Sequence, residues 1–102
     1  DKPFRKELVA EEIKAFEGEH DFRSFSSRLE PGENPVKVMH RAAFIEDPPL
    51  IGIRIIGSGF LYQMVRRMAG LAIAVAMGRE KQGAVKKAVA EPSQGAVSRV
   101  AK

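Results

Sequence analysis

Apolar positions along the chain keep two rhythms, one helical and one alternating. Leu8, Val9, Ile13 and Phe16 recur near helical spacing, with Glu7, Glu11, Glu12 and Lys14 between them. That pattern predicts an amphipathic helix over residues 4–17, stopped at Gly18. Phe22 and Phe25 follow in a short segment of mixed strand and turn character. Leu29 to Pro35 (LEPGENP) carries two prolines and a glycine and reads as an exposed loop. From Val36 to Ile45 the rhythm becomes alternation. Val36, Val38, His40, Ala42 and Phe44 share one predicted face; Lys37, Met39, Arg41, Ala43 and Ile45 share the other. A turn at Glu46-Asp47-Pro48-Pro49 leads to Ile51, Ile53 and Ile55, so the two runs predict an antiparallel hairpin. Gly57-Ser58-Gly59 ends the second strand, with Ser58 placed to cap a helix over residues 60–77 that Gly78 closes. Residues 81–91 predict one more short helix, with Val85 and Val89 four apart and Pro92 as its stop; the tail from Ser93 to Lys102 is weakly patterned. The order helix, strands, helix, helix gives an α+β fold in a single domain over residues 1–102.

The helix over 60–77 is unusual on a wheel. Phe60, Leu61, Met64, Val65, Met68, Leu71, Ala72, Val75 and Ala76 fill one broad arc, predicted to pack on the hairpin's isoleucines. The opposite side carries Gly59, Tyr62, Gly70, Ile73 and Met77, with Arg66 in its middle. A helix apolar nearly all round is expected to be buried nearly all round. Arg66 is then either an embedded cation that requires a carboxylate or phosphate partner, or a surface arginine laid over Ile73. Glu46, Asp47 and Glu91 are candidate partners within the chain. Gly70 suggests a close approach by another backbone or a ligand. Gln63 and Arg67 lie at the arc's edge, within reach of solvent or phosphate.

Composition narrows the setting. The chain has 102 residues, 44% of them hydrophobic, enough for one modest core. It has no cysteine, which excludes a disulfide scaffold and thiolate metal sites and suits an intracellular protein. No signal-peptide pattern opens it, and the longest apolar tract is interrupted by Arg54, Arg66 and Arg67, so no membrane association is expected. A net charge of +4 favours acidic partners, nucleic acid above all. His20 and His40 have no metal-binding spacing, so no metal is expected. His40 reads as a hydrogen-bonded core residue and His20 as a turn stabiliser beside Asp21.

Several segments resemble one family when taken together. Phe60 to Gly70 (FLYQMVRRMAG), preceded by Ile53 to Gly59 (IRIIGSG), is similar to the signature strand, turn and helix of TruA-type tRNA pseudouridine synthases. Gly18 to Phe25 (GEHDFRSF) resembles their G-x-HDF-x-x-F element, and Pro35 to Met39 (PVKVM) their PVRTI-like strand. Across roughly residues 5–90 the resemblance implies half of a pseudouridine synthase-like catalytic fold: an antiparallel sheet packed on helices. It implies isomerisation of uridine in tRNA, chiefly in the anticodon arm, without a cofactor. The target base must leave its stack for that reaction.

Arg66 matches the family's active-site arginine, which pairs with a catalytic aspartate. That aspartate lies in an R-T-D-x-G-V-type motif that this chain lacks; Asp1, Asp21 and Asp47 do not match it. Tyr62 belongs to the FLY element and is distinct from the family's base-stacking tyrosine. Glu91 to Ala96 (EPSQGA) is a degraded counterpart of the A-P-x-x-G-L element that lines the pocket. The chain is accordingly expected to be a fragment or truncated relative, inactive alone, whose partners are tRNA and the amino-terminal half, with a homodimer also compatible. Arg23, Arg28, Lys37, Arg41, Arg54 and Arg67 form the expected phosphate track, while Lys81, Lys86 and Lys87 read as a solvated helix face. A non-catalytic RNA-binding module and a protein-interaction domain, docking through the face around Gly70 and Ile73, are the alternative readings.

Overall fold

A computed structural model describes residues 4–98; Asp1–Pro3 and the end of the tail, Arg99–Lys102, lie outside the described residues. Helix α1 (Lys6–Lys14) buries Leu8, Val9, Glu12 and Ile13. Its exit tightens, with the amides of Ala15, Phe16 and Glu17 each donating to the carbonyl three residues back, which carries Phe16 fully into the core. Strand β1 (Gly18–Asp21) pairs with β2 (Val36–Asp47), which pairs with β3 (Leu50–Gly57) through a Pro48-Pro49 turn whose peptide is cis. All pairings are antiparallel, in the order β1-β2-β3. The architecture is the expected α+β fold.

Strand β2 departs from the expected alternation at one residue. Met39 pairs with Gly57 and Arg41 with Ile56, so His40 is an extra residue in a β-bulge. One inserted residue exchanges the two faces beyond it. Met39 and Ala42 therefore both point into the core, while His40 is exposed. The core-histidine expectation is corrected, because alternation alone has no means of seeing the slip.

Glu17 holds the bulge in place. Its carboxylate accepts the Ala42 amide at 2.8 Å, with Lys14 Nζ at 3.5 Å. The Ala42 amide above all, against partial burial, and then Lys14 and Arg41, lower the carboxyl pKa from its ordinary value of 4.5. A carboxylate whose pKa is depressed on folding stabilises fully above its unfolded pKa and loses that contribution as pH falls through the folded one. Glu17→Gln is therefore expected to melt below the parent at pH 7, with the gap narrowing as the pH is lowered below 4.5; a gap independent of pH in thermal melts would remove the ionic part of this account.

The main helix is shorter than its periodicity predicts. Helix α2 runs from Met64 to Ala76, not from residue 60. Gln63 before it has φ 57°, the left-handed region, where non-glycine residues are uncommon. Leu61 and Met64 are both buried and lie three apart, which mimics helical spacing although a turn joins them. Ser58 is no cap: its hydroxyl accepts the Val38 amide at 3.0 Å and its own amide donates to the Val38 carbonyl, extending the sheet. Gly57 lies close against the buried Met39 side chain, where an added Cβ would meet Met39 Cε at 2.5 Å.

Helix α2 packs mainly on α1, with further contacts to α3 (Ala84–Ala90) and the 3-10 turn Arg23–Phe25, while α1 covers β2. The expectation that α2 packs chiefly on the hairpin is thus corrected: α1 is the helix that covers the sheet, through β2. Phe16, Phe22 and Phe25 form the aromatic heart, fully buried, with ring centroids 5.4 to 6.4 Å apart. Burying each such ring is worth about 1.5–3 kcal/mol.

Candidate nucleic-acid interface around the second helix

The two adjacent arginines of α2 differ in burial. Arg67 is half-buried: Nη1 donates to the Val97 carbonyl at 3.0 Å, Nη2 lies 3.3 Å from Gln63 Oε1, and its buried Nε has no protein partner among the described residues. It fastens the C-terminal segment to the start of α2, and so does not stand on an outward phosphate track. Arg66, one residue earlier and about 100° around the helix, is exposed. The expectation of a cation held out of water is corrected for this chain, and so is the uniformly buried helix. Phe60 and Val65, assigned to the packed arc, are 43% and 38% exposed. Gly70 is buried, and Ile73 and Met77 are half-buried, so the face opposite the arc is only partly open.

The HDF element is a structural hub. Asp21 Oδ1 accepts the Arg23 amide at 3.0 Å and both carboxylate oxygens meet Arg23 Nε, which fixes the 3-10 turn. His20 Nε2 lies 2.9 Å from the Glu17 carbonyl and its ring meets Phe22 edge-on, the expected turn-stabilising role. The C-terminal segment docks on the same turn. Gly95 and Val97 amides donate to the Arg23 and Ser24 carbonyls, Ser24 Oγ donates to the Ala88 carbonyl and accepts the Ser93 amide, and Gln94 Nε2 donates to the Ser26 carbonyl. The degraded EPSQGA element thus keeps a defined position against GEHDFRSF. The buried Ser24 and Ser26 that receive it carried no periodic signal.

The remaining basic residues divide between surfaces. Arg41 and Arg54 are exposed on the sheet face that the helices leave open, since Arg54 pairs with Ala43, two residues beyond Arg41. Lys37 is half-buried beside Gly59. Arg23 is engaged by Asp21, and Arg28 lies over the Tyr62 ring, 4.0 Å from its centroid. A cavity of about 520 Å³ between α2, α3 and the C-terminal segment is lined by Ser24, Leu71, Lys87, Glu91 and Val97 among others, and includes none of the expected site residues. Among the described residues no cluster of His, Cys, Asp or Glu could hold a metal ion, and no helix is long and apolar enough to cross a membrane.

The family model described as tRNA pseudouridine synthase matches residues 13–102. This chain belongs to the tRNA pseudouridine synthase family. Proteins named tRNA pseudouridine synthase A are similar to it across bacteria and archaea. That of Bacillus licheniformis is 33% identical over 95 residues, covering 93% of this chain and 38% of the relative. That of Geobacillus kaustophilus is 39% identical over 69 residues, covering 68% and 27%. That of Methanopyrus kandleri is 36% identical over 80 residues, covering 78% and 30%. The chain spans about a third of the length of the curated relatives it matches. Within this member of the pseudouridine synthase family, α2, the HDF turn and the C-terminal segment are bonded into one unit.

Proposed function

We propose that this chain is the part of a tRNA pseudouridine synthase that supplies a cationic active-site residue, Arg66, and a share of the surface that holds the RNA. The observation that carries the reading is the exposure of Arg66 on α2 within the family-matched stretch, where a docking part can reach it. A catalytic aspartate carried elsewhere in the parent is the counter-charge. A guanidinium within contact distance keeps such a carboxylate ionised at neutral pH. Docking of the aspartate-bearing part covers both groups, and their attraction strengthens as water leaves. The reaction breaks the bond from uracil N1 to ribose C1′, turns the base, and forms a bond from C5 to C1′; C5 gives up a proton and N1 gains one. Nothing is oxidised or reduced, and no cofactor takes part.

The substrate is tRNA, with the anticodon arm as the region acted on. Arg41 and Arg54 on the open sheet face, with Arg23, Arg28 and Lys37, make phosphate contacts that position it. The amino-terminal part of the parent is the macromolecular partner. In support, β3 is an edge strand, and Leu50, Ile51 and Ile56 on it are 71%, 59% and 49% exposed. An apolar edge of this kind is normally covered. The test is tritium release from tRNA labelled at uridine C5, with the full-length parent as enzyme. Stoichiometric release, with pseudouridine in the digested product, is expected; labelled tRNA that binds and keeps its tritium overturns the isomerase reading.

A further inference from the structure

Tyr62 stands on a fixed support. It lies between Leu61 and Met64, 4% and 1% exposed, which bind the turn to the core at both ends. The Met64 amide donates to the Leu61 carbonyl at 3.1 Å, and the Leu61 amide to Met64 Sδ at 3.3 Å. Gln63 holds the left-handed conformation that turns the chain here, and Arg67 grips it twice, through its backbone carbonyl and through its side chain. A backbone conformation of this cost persists where the surroundings over-determine it, and such sites concentrate at functional surfaces. The result is an aromatic ring 45% exposed on a turn with little freedom to move.

Arg28 completes the feature. Its guanidinium carbon lies 4.0 Å from the Tyr62 ring centroid, and its side chain is 59% exposed. Among the described residues it meets a carboxylate only loosely, Nε to Glu30 Oε1 at 3.8 Å, and Glu30 is itself 69% exposed. The packing of the core gains little from this pair. A ring backed by a rigid turn, carrying a guanidinium whose outer side meets water, suits a flat π-system with a phosphate beside it. Unpaired nucleobases stack on aromatic rings and on arginine planes in this way, and the arginine's N–H groups remain free for the flanking phosphate.

We propose that Arg28 and Tyr62 form a stacking ledge for one unpaired nucleobase of the RNA substrate, separate from the base that reacts. The ledge rests on the reading of the chain as part of an RNA-modifying enzyme and adds a specific contact to it. The base lies on the outer side of the Arg28 guanidinium, Tyr62 backs that guanidinium, and the adjoining phosphate replaces Glu30 at its edge. The phosphate and base together identify the ligand as single-stranded nucleic acid, and loop nucleotides in a folded RNA are the natural source.

The experiment measures binding of the full-length parent to a single-stranded RNA 9-mer, uridine throughout except for a central 2-aminopurine, over a series of salt concentrations. Tyr62→Ala is expected to weaken binding about ten-fold at every salt concentration, to leave the salt slope unchanged and to remove the quenching of 2-aminopurine. Tyr62→Phe retains affinity and quenching, because the ring and not the hydroxyl acts. Arg28→Ala loses affinity and also lowers the slope by roughly one ion. Affinity and quenching unaltered in Tyr62→Ala would overturn the ledge, as would Tyr62→Phe behaving like Tyr62→Ala, or a parent that does not bind the 9-mer. Tritium release from tRNA is scored separately, so a failed ledge with intact turnover leaves the isomerase reading in place, whereas loss of turnover by the unmutated parent strikes that reading itself.

Discussion

Arg66→Ala in the full-length parent is expected to lower pseudouridine formation about 100- to 1000-fold while leaving the melting temperature nearly unchanged. The magnitude is that of deleting one fixed group which stabilises charge in an enclosed site. The small thermal effect follows from position: Arg66 is exposed, and the core of this portion is built by Met64, Met68, Leu71, Ala72 and Val75 on the same helix. Arg67→Ala is the contrast. It removes the bonds to Val97 and Gln63, so it is expected to cost roughly 1–2 kcal/mol of stability and to loosen the C-terminal segment. Single-turnover tritium release and thermal melts on both variants separate the two roles. Normal turnover by Arg66→Ala would end the catalytic assignment of that residue, and a large fall in its melting temperature would recast it as structural.

A desolvation argument does not support that assignment in this chain. The wheel over residues 60–77 leaves Arg66 as either an embedded cation or a surface arginine, because both its faces are apolar. Phe60 and Tyr62 precede the helix, however, and both are exposed. What supports the role is the resemblance of FLYQMVRRMAG to the family's signature helix, inside the stretch that the family model matches. If the amino-terminal part covers Arg66, the burial of the embedded alternative belongs to the assembled parent and not to this portion of it.

The parts of the fold legible in the sequence were those written in long periodic stretches. The hairpin's location, α1, the body of α2 and the position of α3 all follow from spacing and from Gly and Pro punctuation. Three things escaped. The bulge at His40 changes the phase of β2 by one residue, and only the partner strand's register reveals it. Periodicity sets the start of α2 too early because Leu61 and Met64 occupy helical spacing while joined by a turn. Polar groups that bind distant backbone, such as Ser24 to Ala88 across 64 residues, leave no local signature at all. The Arg28–Tyr62 pair is of that same kind, since residues 34 apart meet only after the fold has formed. At the bulge and in the distant polar contacts long-range geometry decides and local pattern is silent; at the start of α2 local spacing misleads.

Glu12 is the sharpest example of a residue whose importance is invisible locally, and its replacement carries the largest stability effect expected here. By spacing it is one of several charged residues on the solvent side of α1, yet it is only 8% exposed. Its carboxylate reaches the start of α3, 71 and 73 residues away, accepting the Gly83 amide at 2.9 Å and the Val85 amide at 3.3 Å. Helix α3 has no cap of its own, since Gly83 precedes it in the left-handed region without a side chain to offer. Glu12 therefore serves as a remote cap, satisfying amides that the helix leaves unpaired.

Glu12→Ala strands the buried Val85 amide and removes the cap, at an expected cost of about 3 kcal/mol. Glu12→Gln keeps an acceptor oxygen but loses its charge, and is expected to recover roughly half of that. Denaturant unfolding monitored by far-ultraviolet circular dichroism gives the two values directly. Native hydrogen exchange at Val85 gives the location, because in Glu12→Ala that amide is expected to exchange faster while the Ala42 amide held by Glu17 keeps its protection. Equal loosening at both amides would mean that Glu12 stabilises the portion as a whole and does not act as the cap of α3.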